Sequence, residues 1–89
     1  MNQYDPQALR SSAKRREKNI QAFKDTIRKE QAVIDEFMYI ISQIDPDHED
    51  VKKLRLTIKK KQDNIKIFKQ AIKNERIQIE QELKLASAA

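Results

Sequence analysis

Asp45-Pro46-Asp47-His48-Glu49-Asp50 decides the fold, because the residues that follow it repeat those that precede it. When the chain is slid along itself until Asp5 meets Asp50, Leu9 meets Leu54, Arg10 meets Arg55, Lys14 meets Lys59, Asn19 meets Asn64 and Ile20 meets Ile65. The same offset brings Phe23 to Phe68, Lys24 to Lys69, Ile27 to Ile72, Glu30 to Glu75 and Ile34 to Ile79. Self-similarity of this kind marks one structural unit written twice.

Each copy reads as a helix. Upstream of the turn, Ala13, Ile20, Ile27, Ile34 and Ile41 form one apolar series and Leu9, Phe23, Phe37 and Ile44 a second, alternating three and four apart. This is the a and d pattern of a coiled coil. Downstream, Val51, Ile58, Ile65, Ile72, Ile79 and Ala86 continue the a series and Leu54 and Phe68 the d series. Asp5 is placed to cap the first helix, with Pro6 in its opening turn. Pro46 ends that helix near Ile44, since it lacks the amide that continuation needs and pushes its predecessor out of the α region. Asp45 or Asp47 is expected to cap the second helix, with Glu49 and Asp50 adding favourable negative charge to its first turn.

The expected architecture is therefore all-α. Residues 1–89 form one antiparallel two-helix hairpin, with helix 1 over about 5–44, a turn at 45–48 and helix 2 over about 48–86. Helices of this length give a rod of about 50 to 60 Å.

Charged residues interrupt the d series at Arg16, Glu30, Lys61 and Glu75. Folding the chain back at the turn puts Glu30 near Lys61 and Arg16 near Glu75. Polar pairs inside a seam fix register at some cost in stability. The same fold-back places Phe23 against Phe68.

Two helices can bury only one stripe each. The end of helix 1 carries more apolar residues than that, namely Val33, Phe37, Met38, Tyr39, Ile40 and Ile41, and helix 2 has Leu56, Ile67 and Ile77 off the seam. The surplus predicts a further helical partner: a second copy, making a four-helix bundle, or another protein docking on the Val33 to Ile41 segment. The function expected is that of a non-enzymatic interaction module, an adaptor, inhibitor or chaperone-like binder.

Composition excludes most chemistry. There is no Cys and no Gly, so thiolate sites, disulfides and glycine-rich phosphate loops are absent. His48 sits among four carboxylates, but an EF-hand loop needs a Gly at its bend and zinc a second soft ligand. This segment reads as a solvated capping turn, and no metal or cofactor is expected. The N-terminal residues lack an apolar run, and Phe37 to Ile41 is far too short to span a bilayer. A cytoplasmic protein without membrane contact is the expectation.

A net charge of +5 leaves one alternative. Lys14, Arg15, Arg16 and Lys18 form one basic cluster and Lys52, Lys53, Arg55, Lys59, Lys60 and Lys61 another. A dimeric hairpin with a basic face resembles, in shape alone, the plasmid copy-control RNA-binding hairpins. That resemblance implies phosphate contacts to RNA or DNA. The phenylalanines belong to the seam, leaving Tyr4 and Tyr39 as candidates for base stacking.

Overall fold

The computed structural model describes residues 5–88. Tyr4 lies outside them. Two helices account for nearly all of the chain: α1, Pro6–Gln43, and α2, Glu49–Ala88. The chain turns back over residues 44–48, so α1 and α2 lie antiparallel along one another in a rod measuring 69 × 14 × 12 Å. It is longer than the expected 50 to 60 Å because the turn lies beyond the end of α1 and α2 runs two residues past its expected end, to Ala88.

The ends follow from local chemistry. The Asp5 carboxylate accepts from the Gln7 amide at 3.0 Å, and Pro6 occupies the first turn, where its missing amide costs nothing. At the other end α1 stops at Gln43, and Ile44 passes directly into extended backbone with φ −110° and ψ 162°. With no Gly in the chain, the left-handed cap that ends many helices is not used, and no described residue has positive φ. The Ser42 hydroxyl donates to the Tyr39 carbonyl at 2.6 Å, a local bond within the last turn.

The cap of α2 is His48, and neither Asp45 nor Asp47 takes that role. Both polar groups of Asp45 are committed to the turn: its carboxylate accepts from the Asp47 amide at 3.0 Å and its carbonyl from the His48 amide at 2.9 Å. Pro46 and Asp47 form the two central turn residues, which defers the helix to Glu49. The imidazole Nδ1 of His48 then accepts from the Asp50 amide at 3.1 Å, the task an Asp side chain performs elsewhere.

The a residues form the core. Ala13, Ile20, Ile34, Val51, Ile58, Ile65, Ile72 and Ala86 are all buried, and Ile34, Ile58 and Ile65 cluster with Ile27, Phe37 and Ile41 against them. The apolar d residues Leu9, Phe23, Phe37, Ile44, Leu54 and Phe68 are only half-buried. The Phe23 and Phe68 rings meet at 5.9 Å between centroids, as the fold-back requires, within the range of favourable aromatic pairs.

Candidate interaction surfaces

Both register pairs form. Lys61 Nζ lies 3.2 Å from Glu30 Oε1, and Asn64 approaches the other Glu30 oxygen at 3.5 Å. Arg16 Nη1 donates to Glu75 Oε1 at 3.1 Å. The shorter Arg16 contact is to a residue the seam reading passed over: Nε donates to Glu82 Oε1 at 2.7 Å, and the Ser12 hydroxyl donates to the same oxygen at 3.1 Å. Glu82 is the next d position after Leu54, Lys61, Phe68 and Glu75, so continuing that series one step further would have found it. Glu75 Oε2 and Glu82 Oε2 are buried without a hydrogen-bond partner among the described residues.

If the central pair fixes register, exchanging its charges must restore what a single reversal removes. Glu30→Lys is expected to lower the melting temperature, and adding Lys61→Glu to recover part of the loss, with a coupling of about 0.5 to 1 kcal/mol. A double-mutant cycle by thermal denaturation checks this. Additive effects would mean that the two side chains do not interact.

The Arg16 cluster carries a pH signature. Burial pushes the Glu82 carboxyl up, but the hydrogen bonds from Arg16 and Ser12 and the charges of Arg16 and Arg15 outweigh it, and its pKa lies below the ordinary 4.5. Arg16 is raised in turn, chiefly by its hydrogen bond to Glu82 and against the cost of desolvation. A carboxyl with a lower pKa folded than unfolded stabilises the fold above its unfolded value and loses that contribution as pH falls through the folded one. Melting temperature should therefore drop on acidification below about 4.5, and less steeply in Glu82→Gln. Parallel curves for the two proteins would exclude Glu82 from the acid transition.

The flanks of the seam differ sharply. On a helix the g positions lie beside the d row and the e positions beside the a row, so they face opposite sides of the hairpin. In α1 the g positions are Ser12, Asn19, Thr26, Val33 and Ile40, and in α2 they are Thr57, Asn64, Ala71, Gln78 and Leu85. None is charged, in a chain of which 37% is Asp, Glu, Lys or Arg. Charge on this row is confined to Asp5 and Asp50, which serve the helix starts. Ser12, Thr26, Val33, Thr57 and Ala71 are half-buried, whereas the e positions are exposed throughout.

The opposite flank is cationic. Along α2, Lys52, Arg55, Lys59, Lys66, Lys69, Lys73 and Arg76 occupy the e and b rows, with only Gln62 among them. All are exposed. The ion pairs among the described residues use Arg16, Arg28, Lys61 and Lys84, and none of these seven. Asp63 lies at its margin, and Glu17 and Asp35 stand on the α1 side of the same flank. Of the basic residues named from the sequence, Lys52, Arg55 and Lys59 lie on this stripe. Lys14 shares the flank from α1 but sits near the open end of the rod, and Arg15, Lys18, Lys53 and Lys60 point elsewhere. Contiguous clusters hide the stripe, whose signal is the recurrence of Lys every seven residues from Lys52 to Lys73.

The apolar segment at the end of α1 is divided in a similar way. Phe37 and Ile41 pack on the core, and Val33 is half-buried on the g row. Met38, Tyr39 and Ile40 are exposed, at 56%, 65% and 36%. As consecutive helical residues they wind around α1. Met38 lines a shallow groove with Ile41, Arg55, Ile58 and Gln62 on the cationic flank, and Ile40 another with Ile44, His48, Asp50, Lys53 and Leu54 at the turn end of the opposite flank. Among the described residues, no group of His, Asp and Glu is arranged to hold a metal ion, and no helix is long and apolar enough to cross a membrane. Comparison with models of protein families, with curated proteins and with solved structures finds no match.

Proposed function

We propose that this chain is a small, non-enzymatic, cytoplasmic protein-interaction module: a helical hairpin that pairs with a second copy through its uncharged flank, Val33 and Ile40 included, and presents Met38 and Tyr39 to another protein. The observation that carries this reading is the uncharged g row beside a d row in which half-buried phenylalanines and leucines alternate with charged residues already paired within the hairpin. A face meant for water would carry the lysines and glutamates found on the rest of the rod. A face meant for another helix carries small and neutral side chains that let backbones approach, as this one does at Ser12, Thr26, Thr57 and Ala71. A two-fold axis then makes the surface complementary to itself, and pairing would cover the Phe23, Phe37 and Phe68 edges that one hairpin leaves wet. The result is a four-helix bundle.

Sedimentation equilibrium over a range of loading concentrations tests the reading. A mass of twice 10.5 kDa is expected, falling towards the monomer only on dilution. A protein that sediments as a monomer at about 100 μM, well above ordinary dimer affinities, would remove the bundle. For the outer protein partner, Tyr39→Glu should abolish capture while leaving the dimer intact, because a charge buried in an apolar contact finds no counter-ion.

A further inference from the structure

We propose that the cationic flank of α2, from Lys52 to Arg76, is a binding site for the phosphate backbone of double-stranded nucleic acid, engaged without regard to sequence. It rests on a different surface from the pairing face and stays exposed when that face is covered.

Like charges three, four and seven residues apart on a helix repel one another and weaken it. In places this chain interleaves its signs, as in Asp25 with Arg28 at 2.8 Å and Glu80 with Lys84 at 3.3 Å, although Arg10, Lys14 and Lys18 of α1 also stand four apart. On the α2 flank it does not, and the cations stand exposed without ion-pair partners. A row that costs the helix stability and gains nothing within the chain fits an external anion.

The geometry selects which anion. From Lys52 to Arg76 the stripe runs straight for about 36 Å at 1.5 Å per residue, the length of about one turn of a B-form duplex. A stiff row of charges suits a stiff polyanion, whose condensed counter-ions are released on contact. Single strands are held largely by bases stacked on aromatic rings, and this flank has none: Phe23, Phe37 and Phe68 lie in the seam and Tyr39 on the outer face of α1. Membrane-surface helices need a continuous apolar face beneath their basic fringe, whereas the exposed apolar residues beside this stripe, Met38, Leu56 and Ile77, are scattered along the rod.

The test is fluorescence anisotropy of a labelled duplex of about 20 base pairs, titrated with the full chain at salt concentrations from about 50 to 200 mM. Wild type is compared with two triple variants of equal net charge: Lys59→Gln, Lys66→Gln and Lys73→Gln on the stripe, and Lys18→Gln, Lys29→Gln and Lys60→Gln off it. All six positions are exposed, and helical circular dichroism verifies that each variant is folded. The expected result is that the stripe variant binds at least about tenfold more weakly at 100 mM salt and lowers the slope of log affinity against log salt by about 3, while the control variant changes little. Equal losses in the two variants would reduce the effect to net charge and overturn the proposal. So would an absence of duplex binding, or tighter binding to phosphatidylserine-containing vesicles or to polyglutamate than to the duplex.

Discussion

Ile34→Ala should lower the melting temperature by on the order of 10 to 30 °C, the largest loss expected from any single truncation in the chain. Ile34 is 2% exposed and sits in the middle of the a row, where Ile58, Ile65, Ile27, Phe37 and Ile41 surround it. Removing three carbons from such a site costs the lost transfer energy and the cavity left behind, together about 2 to 5 kcal/mol. A rod 14 by 12 Å in section has no second layer to collapse into that space. Against a total stability of about one-tenth of a kcal/mol per residue, the loss is a large share of the whole. Leu56→Ala provides the contrast: at 62% exposure it should change stability by no more than about 0.5 kcal/mol. Thermal denaturation followed by circular dichroism, at one fixed protein concentration because self-association would raise the apparent midpoint, measures both. Shifts of similar size at the two positions would mean that the a row is not what holds the helices together.

The hairpin was legible from the sequence because several independent signals agreed. The a series, Pro46 and the capping Asp5 each belong to a rule about backbone or burial that acts locally, and together they set the helix ends within a residue or two. Fold-back about one turn then carried over to side chains, so that Phe23 and Phe68, Glu30 and Lys61, and Arg16 and Glu75 meet as the spacing requires. What stayed hidden depends on reach and on angle. Arg16 spans two turns of α2, bonding Glu75 with one nitrogen and Glu82 with another, and pairing by height alone assigns it a single partner. His48 acts as a cap although imidazole is outside the usual set of capping side chains, and only the prior commitment of Asp45 explains why. Met38, Tyr39 and Ile40 are neighbours in the chain but point to three sides of the helix. The uncharged and cationic flanks are likewise invisible in linear order, since each is spread over positions seven apart.

If hairpins pair through the uncharged flank as proposed, placing a charge there should separate them without unfolding them. Ala71→Glu is the sharpest form of this prediction, because Ala71 is a small, half-buried g residue near the middle of α2. Within one hairpin a glutamate there can extend into solvent, and Glu is a good helix former, so helicity should be retained. In a dimer of hairpins the same carboxylate would be shut into a dry contact twice, once from each copy, and related by a two-fold axis to its own like charge. A buried charge without a partner costs several kcal/mol, enough to weaken association by a thousandfold or more. The expected outcome is a helical monomer by sedimentation velocity at concentrations where the wild type is dimeric. Gln62→Glu, on the opposite flank, should leave the mass unchanged, since that surface stays in water. If Ala71→Glu remained dimeric and Gln62→Glu dissociated, the pairing face would lie on the e side of the seam. The Lys52 to Arg76 stripe would then be partly covered by the second copy, and the two surfaces would compete where they are now assigned to separate sides of the rod.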